Sequence, residues 1–258
     1  FRPLTVIGHI PKLLELIVKS HIVSFFRKHD LFSVDQSAYL KYHSTQTCLH
    51  KLIDDWREQI DDRNLIGACF IDIKKCFDTI DHSILMYKLK KYGFDDTICQ
   101  WIQSYLQNRK QVVNINNSVS SPLSVNIGVP QGSILGPILF LIFINDISQN
   151  VLNGACNLYA DDVVVYACGE TISDVRSKLQ GCLNVINVWY HENRLTINAS
   201  KSNVMLISSK PKSDVNNNLN VSLGDTEVPQ VSEIKYLGLT IDCNLTWESH
   251  TDILIRNI

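Results

Sequence analysis

An α+β fold is predicted by three features of the sequence. Several stretches carry apolar residues at helical spacing. Short β-prone runs of strand length lie between them. One pair of such runs, Leu158-Tyr159-Ala160 and Val163-Val164-Val165-Tyr166, is separated only by Asp161-Asp162, which reads as strand, tight turn, strand.

Composition bounds the reading. The 258 residues are 45% apolar, ample for a core, and 19% charged, with a net charge of −2. No global positive charge advertises a nucleic-acid partner, so a basic groove, if one exists, is local. The 8 cysteines are scattered without a CxxC pair, and several, such as Cys69 and Cys99, lie in apolar runs. They read as reduced core residues of an intracellular protein, with nucleus and cytoplasm not distinguished. The most apolar stretch, Ile134 to Ile147, is too short for a membrane span and is interrupted by Gly136 and Pro137. No signal peptide and no membrane partner are expected. The chain begins Phe1-Arg2-Pro3 and ends within an apolar pattern at Asp252-Ile253-Leu254-Ile255, the look of a piece of something longer.

Taken in order, Pro11 to Asp30 is a helix with Leu13, Leu14, Ile17, Val18, Ile22, Phe25 and Phe26 as its apolar residues. Ser44 is the N-cap of a second helix to about Gln59, striped by Leu49, Leu52, Ile53 and Trp56. Ile66 to Ile73 is a continuous apolar run, the mark of a strand buried on both faces, and it carries Asp72 near its end. Asp81 caps a helix from His82 to Tyr92, which Gly93 closes; a further helix spans about Thr97 to Leu106. Gln111 to Ile127 alternates around Asn116-Asn117 and Pro122, as a hairpin or two short strands. Gly128-Val129-Pro130-Gln131-Gly132-Ser133 is a turn, with Gly132 or Ser133 opening an apolar helix to Ile147. Such a turn can receive an anion or let a base approach the backbone, but taken alone it is a weak signal and a plain loop is the stronger reading. Ile172 to Tyr190 is helical, Asn203 to Ile207 a strand, and Lys210 to Asn220 a polar loop. Two or three short strands follow, through Asp242, and a last helix runs to the end.

Two adjacent carboxylates are costly to crowd in a partly buried place without a positive partner, and a divalent cation is the usual one. On Asp161 and Asp162 alone, a polar hairpin turn accounts for the pair as well as a metal site does. If the Asp72 strand lies beside the Asp161-Asp162 hairpin in one sheet, three carboxylates meet. Such a set can hold two Mg²⁺ about 3.5–4 Å apart for in-line displacement at phosphorus.

These stretches form an ordered series of blocks. Arg2-Pro3, Gln36-Ser37-Ala38-Tyr39 through His43-Ser44-Thr45, Phe70-Ile71-Asp72-Ile73-Lys74-Lys75-Cys76-Phe77-Asp78-Thr79, Gly128 to Ser133 with Asn145-Asp146, Tyr159-Ala160-Asp161-Asp162, Asn198 to Lys201 and Tyr236-Leu237-Gly238 follow one another almost from end to end. In that order they resemble the reverse transcriptase domain of non-LTR (LINE-type, jockey- and CR1-like) retrotransposons.

The resemblance implies a right-hand polymerase fold. It has a palm with an antiparallel sheet and packed helices, partial fingers and a truncated thumb. Residues 1–65 would be partial fingers and entry helices, 66–210 the palm with some fingers segments inserted, and 211–258 the end of the palm and the start of the thumb. It implies RNA-directed DNA polymerase activity with two Mg²⁺, Mn²⁺ being an alternative, on an RNA template, a DNA primer and dNTPs. Asp72 and Asp161 would be the principal metal ligands, with Asp162 assisting and Ile73 offering its carbonyl. Phe77 would stand under the incoming sugar and exclude a 2′-OH. Pro130, Gln131 and Gly132 would line the nucleotide and template base, and Lys201 would protonate or neutralise the departing pyrophosphate. Tyr159 and Tyr236-Leu237-Gly238 would lie by the primer and template. An endonuclease upstream and the rest of a thumb downstream are expected in a longer polyprotein.

Two positions depart from the family pattern. Leu40 stands where relatives carry an Arg that grips the triphosphate, leaving Lys41 as the nearby cation, and a point charge does not replace a bidentate guanidinium. Cys76 replaces a small Ala. Three other functions fit part of the pattern: a decayed or co-opted copy that only binds nucleic acid, an RNA-templated RNA polymerase, and a metal-dependent phosphohydrolase. The aromatic at Phe77 speaks against the second, and the third does not need the Gly128–Ser133 block.

Overall fold

The computed structural model describes residues 5, 7–116, 118–208 and 218–256. In chain order the elements are α1 (His9–Lys28), α2 (Thr45–Asp61), β1 (Leu65–Ile71), α3 (His82–Lys91), α4 (Asp96–Leu106), β2 (Arg109–Gln111), β3 (Asn114–Ile115), β4 (Ser118–Val119), β5 (Leu123–Val125), α5 (Gly136–Ile144), β6 (Ala155–Tyr159), β7 (Asp162–Gly169), α6 (Ile172–Glu192), β8 (Asn203–Ile207), β9 (Ser222–Leu223), β10 (Thr226–Glu227), β11 (Glu233–Tyr236), β12 (Leu239–Asp242) and α7 (Glu248–Arg256). The polar loop expected at Lys210 to Asn220 lies mostly outside the described residues. The chain forms two compact units. One comprises Phe1–Ser33, Lys75–Asp146 and Glu192–Leu195; the other comprises Val34–Lys74, Ile147–His191 and Thr196–Ile258.

The second unit is built on a four-stranded sheet in the order β6-β7-β1-β8, antiparallel at every pairing. β1 is interior and buried at all seven of its residues, as its unbroken apolar run predicts. One face of the sheet, formed by Ile66, Ala68, Phe70, Val164, Tyr166, Met205 and Ile207, packs on Leu52, Ile53 and Trp56 of α2 and on Tyr236 and Ile241. The other face receives α6 at close range: a Cβ on Gly67 would stand 2.7 Å from Val175 Cγ1 and 3.1 Å from Leu179 Cδ2. α2 starts where the sequence places it. Ser44 Oγ accepts from Thr47 N–H while Thr47 Oγ1 accepts from Ser44 N–H, a closed capping box.

The first unit packs α1, α3, α4 and α5 around Phe26, Leu85, Leu89, Ile102, Phe140 and Phe143, all fully buried. Phe26 makes ring contacts with Phe32, Tyr92 and Phe94. α5 opens at Gly136, three or four residues later than expected from the apolar pattern. Ser133 is spent on the turn before it: its hydroxyl donates to Pro130 O (2.7 Å) and accepts from Gly136 N–H (2.8 Å). The N–H groups of Ile134 and Leu135 are accepted by Glu15 Oε2 at 2.7 and 3.2 Å, a cap delivered by α1. Glu15 is buried, and its other oxygen accepts from Tyr105 OH at 3.1 Å. Lys88 is buried too. Its ammonium meets Asp146 Oδ1 at 2.6 Å and Phe143 O at 2.7 Å, joining α3 to the end of α5. The region from Arg109 to Val125 forms two two-stranded pieces, β2-β5 and β3-β4.

Asp81 caps α3 as predicted, accepting from Ser83 N–H (2.8 Å) and Ile84 N–H (3.1 Å), and Arg194 Nη1 sits 2.6 Å from its second oxygen. Burial works to raise this carboxyl, but the bonds from Ile84, Arg194 and Ser83 outweigh it and hold the pKa below the ordinary value. A depressed acid contributes stability above its unfolded pKa and loses it as pH falls through the folded one. Asp81→Ala should therefore cost about 1 kcal/mol at neutral pH, the usual worth of an N-cap. The gap to the parent in thermal unfolding should shrink as the solution is acidified through the carboxylate range. A gap that stays constant with pH would contradict the charged cap.

Candidate active site

β1 ends at Ile71, and Asp72 follows it in a solvent-exposed position. The chain beyond the strand is laced to residues 196–202. Asp72 N–H donates to Ser202 Oγ (3.1 Å), Asp72 O accepts from Asn198 N–H (2.8 Å), and Lys74 N–H donates to Thr196 O (2.9 Å). Ile73 is buried and bridges Ile197. The Asp72 carboxylate is itself held: Asn198 Nδ2 donates to Oδ2 at 2.8 Å. Asn198 is a positioning contact that local periodicity could not reveal; its only signal in the sequence is its place in the Asn198–Lys201 block.

The β6–β7 hairpin supplies the other acids. Its last pair is Tyr159 with Asp162, and the turn is Ala160-Asp161. The β1–β7 register pairs Ile71 with Val163, and its next step sets Asp72 across from Asp162. Asp72, Asp161 and Asp162 thus come to the same end of the sheet, as the two-strand argument expects. Asp162 is open to solvent as a residue, yet its carboxyl is pushed up to about 6, first by desolvation and then by the charges of Asp161 and Asp72. Like charges this close hold on to protons, and a cation among them relieves the repulsion. The all-oxygen donor set suits a hard divalent ion. Among the described residues, no group of three or more His, Cys, Asp or Glu side chains is already arranged to hold a metal.

The turn is supported from outside the hairpin. Leu158 N–H donates to Asp35 O (2.9 Å), and Ser37 N–H donates to Leu158 O (3.0 Å), so residues 35–37 run alongside β6. Lys41 is exposed with its ammonium 4.7 Å over the Tyr42 ring, and Lys201 is exposed in the turn before β8. Tyr159 is half-buried. Tyr236, expected by the primer end, is a core residue instead. It is 5% exposed, its ring lies 5.5 Å from that of Phe70, and its hydroxyl donates to Asn157 Oδ1 at 3.2 Å. Burial pushes its phenol pKa well up. Leu237 and Gly238 follow, both at positive φ in the β11–β12 turn; Leu237 is half-buried against the same core and Gly238 is exposed.

The remaining candidates belong to the first unit. Phe77 lies in a short 3-10 turn, Cys76–Asp78, and stacks on Phe140 with centroids 4.5 Å apart and planes 25° from parallel. That turn is zipped to the Gly128–Ser133 block. Val129 N–H donates to Phe77 O and Gly128 N–H to Ile80 O, both at 2.8 Å, and His82 Nε2 lies 2.7 Å from Gly128 O. Gln131 Nε2 donates to Asp78 Oδ1 at 2.7 Å, which holds the side chain to the loop. Pro130 is buried and Gly132 exposed.

An antiparallel sheet with acids at the end of an interior strand and in the adjoining hairpin is the palm of a right-hand polymerase. Solved structures share that fold. A telomerase from Candida tropicalis, in complex with a TWJ fragment of telomeric RNA, matches 91% of this chain and 36% of its own at a TM-score of 0.63 and 13% identity. The chain belongs to the reverse transcriptase (RNA-dependent DNA polymerase) family, whose pattern matches residues 1–241. It is 29% identical to the RNA-directed DNA polymerase of mobile element jockey from Drosophila funebris, over 97% of this chain and 28% of that protein. It is likewise 29% identical to a polymerase of transposon BS from Drosophila melanogaster, over 99% of this chain and 29% of that protein. The resemblance to the non-LTR type therefore holds, and the chain spans under a third of the length of these relatives. All eight cysteines are free thiols. Among the described residues, no helix is long and apolar enough to cross a membrane.

Proposed function

We propose that this chain is the polymerising part of a retrotransposon reverse transcriptase, adding dNTPs to a DNA primer 3′-OH on an RNA template. The observation that carries the reading is the arrival of Asp72 beside Asp161 and Asp162 at one end of the sheet, with Asp162 already reluctant to ionise. Two divalent cations, Mg²⁺ or Mn²⁺ in its place, would activate the 3′-OH and neutralise the departing pyrophosphate. Asp72 and Asp161 are the principal ligands and Asp162 assists; Ile73 adds its carbonyl, and Asn198 fixes the Asp72 carboxylate. Lys41 and Lys201 meet the triphosphate and the pyrophosphate. Pro130, Gln131 and Gly132 line the base, and Tyr159 with Leu237-Gly238 faces the primer. Eight free thiols support work in a reducing compartment. An upstream endonuclease and the rest of a thumb downstream would belong to a longer polyprotein.

Primer extension with dNTPs on an RNA template in Mg²⁺ tests the reading. A lengthened primer is expected. A folded chain that binds RNA and extends nothing, even when joined to a thumb, would leave only a binding function. Phe77 is proposed as the residue that excludes the ribose 2′-OH, because its ring is fixed against Phe140 and cannot swing aside freely. Phe77→Val should raise rNTP incorporation relative to dNTP by about 10- to 100-fold, the scale of discrimination that one steric contact provides. An unchanged ratio would remove Phe77 from that role.

A further inference from the structure

We infer that Gln36 is a positioning residue for the acidic turn, a role that rests on the carboxylate reading above. Its Oε1 accepts from two backbone N–H groups, Ala38 at 2.8 Å and Ala160 at 3.1 Å. Ala160 is the residue immediately before Asp161, and it sits at φ +54°, a left-handed conformation that residues with a Cβ avoid. The two-residue turn imposes that conformation, and Gln36 braces it with a bond from a segment 124 residues away in the chain.

The choice of side chain fits this task. Gln36 is only 1% exposed, and among the described residues its Nε2 has no hydrogen-bond partner. A buried donor without a partner is a cost, yet Leu or Met here would leave the N–H groups of Ala38 and Ala160 without their acceptor. A Glu would keep the acceptor but bring a fourth negative charge beside Asp161 and Asp162. Glutamine provides a neutral oxygen on a side chain long enough to reach Ala160. The cost is kept because the oxygen aims the turn, and the turn aims Asp161. Gln36 thereby acts through Asp161 and does not itself touch the reacting groups.

Mn²⁺ binding to the chain, followed by the EPR signal of the free ion, tests this without relying on turnover. Asp161→Asn is the reference and should weaken binding. If it does not, the carboxylate site itself fails and takes the role of Gln36 with it. Gln36→Met, matched in size but lacking the acceptor, should raise the half-saturating Mn²⁺ concentration about 10- to 100-fold, the effect of losing an outer partner of a metal ligand. In primer extension it should lower kcat and leave the dNTP KM unchanged. Adding Ala160→Gly, which takes positive φ without strain, should recover roughly threefold or more of the loss. A folded Gln36→Met chain that binds Mn²⁺ like the parent would overturn the assignment. Should Gln36→Met fail to fold, replacing Ala160 by its α-hydroxy analogue removes only the N–H donor. Parent-like Mn²⁺ binding there would equally overturn it.

Discussion

Asp161→Asn should abolish Mg²⁺-dependent primer extension, lowering the rate on the order of 10³-fold or more while leaving the chain folded. The size follows from the chemistry. Phosphoryl transfer is positioning plus charge neutralisation, and a lost ligand removes several kcal/mol of transition-state stabilisation. The fold should survive because Asp161 lies in a turn beside two like charges, and an amide there relieves repulsion. Asp162→Asn should cost much less activity. Asp162 is proposed only to assist, and its carboxyl already holds its proton to about 6. Equal losses from the two substitutions would mean that the roles are not divided as proposed. Extension by Asp161→Asn at the parent rate would remove the acid from the chemistry altogether.

Gly128→Ala should be the most damaging small change away from the acids. Gly128 has φ +83°, and a Cβ there would lie 2.6 Å from the carbonyl oxygen of Asp78 and 2.8 Å from that residue's C and Cα. The obstacle is backbone, so no side-chain rotation relieves it. The left-handed penalty and the overlap together come to about 3 kcal/mol or more. In a chain of this size that lowers the melting temperature by roughly 10 °C. The same displacement pulls on the bonds from Gly128 to Ile80 and from Val129 to Phe77, so the loop that carries Gln131 shifts with it. Gly181→Ala is the control. It lies inside α6 with nothing within 4 Å of its added Cβ, and it should stabilise by about 0.5–1 kcal/mol. If both substitutions lower the melting temperature alike, the close approach at Gly128 is not what demands glycine.

Much of this was legible where one residue answers to its near neighbours. Ser44 and Asp81 announce their helices because a cap binds N–H groups two or three residues on. The Ile66–Ile73 run announces an interior strand because both of its faces are covered. The acids were legible as a set because Asp72 and Asp161-Asp162 each end a β-prone run and the motif order is specific. What escaped depends on partners far away in the chain. The late start of α5 is set by Glu15, 119 residues before Ile134, and apolar periodicity carries no trace of it. Asn198 on Asp72 and Gln36 on Ala160 are bonds of the same kind, spanning 126 and 124 positions. Tyr236 reads as a primer contact by its block, yet the packing of β11 on Phe70 claims its ring for the core.

The central claim is that Asp72 and Asp161 jointly hold the catalytic ions. Crystals of the chain with an RNA template, a DNA primer, an incoming dNTP and Mn²⁺, measured at the manganese absorption edge, test it most directly. The account predicts anomalous peaks bridging the carboxylates of Asp72 and Asp161, with Asp162 adjacent. Anomalous peaks elsewhere, with both carboxylates unligated around an ordered primer and nucleotide, would contradict it.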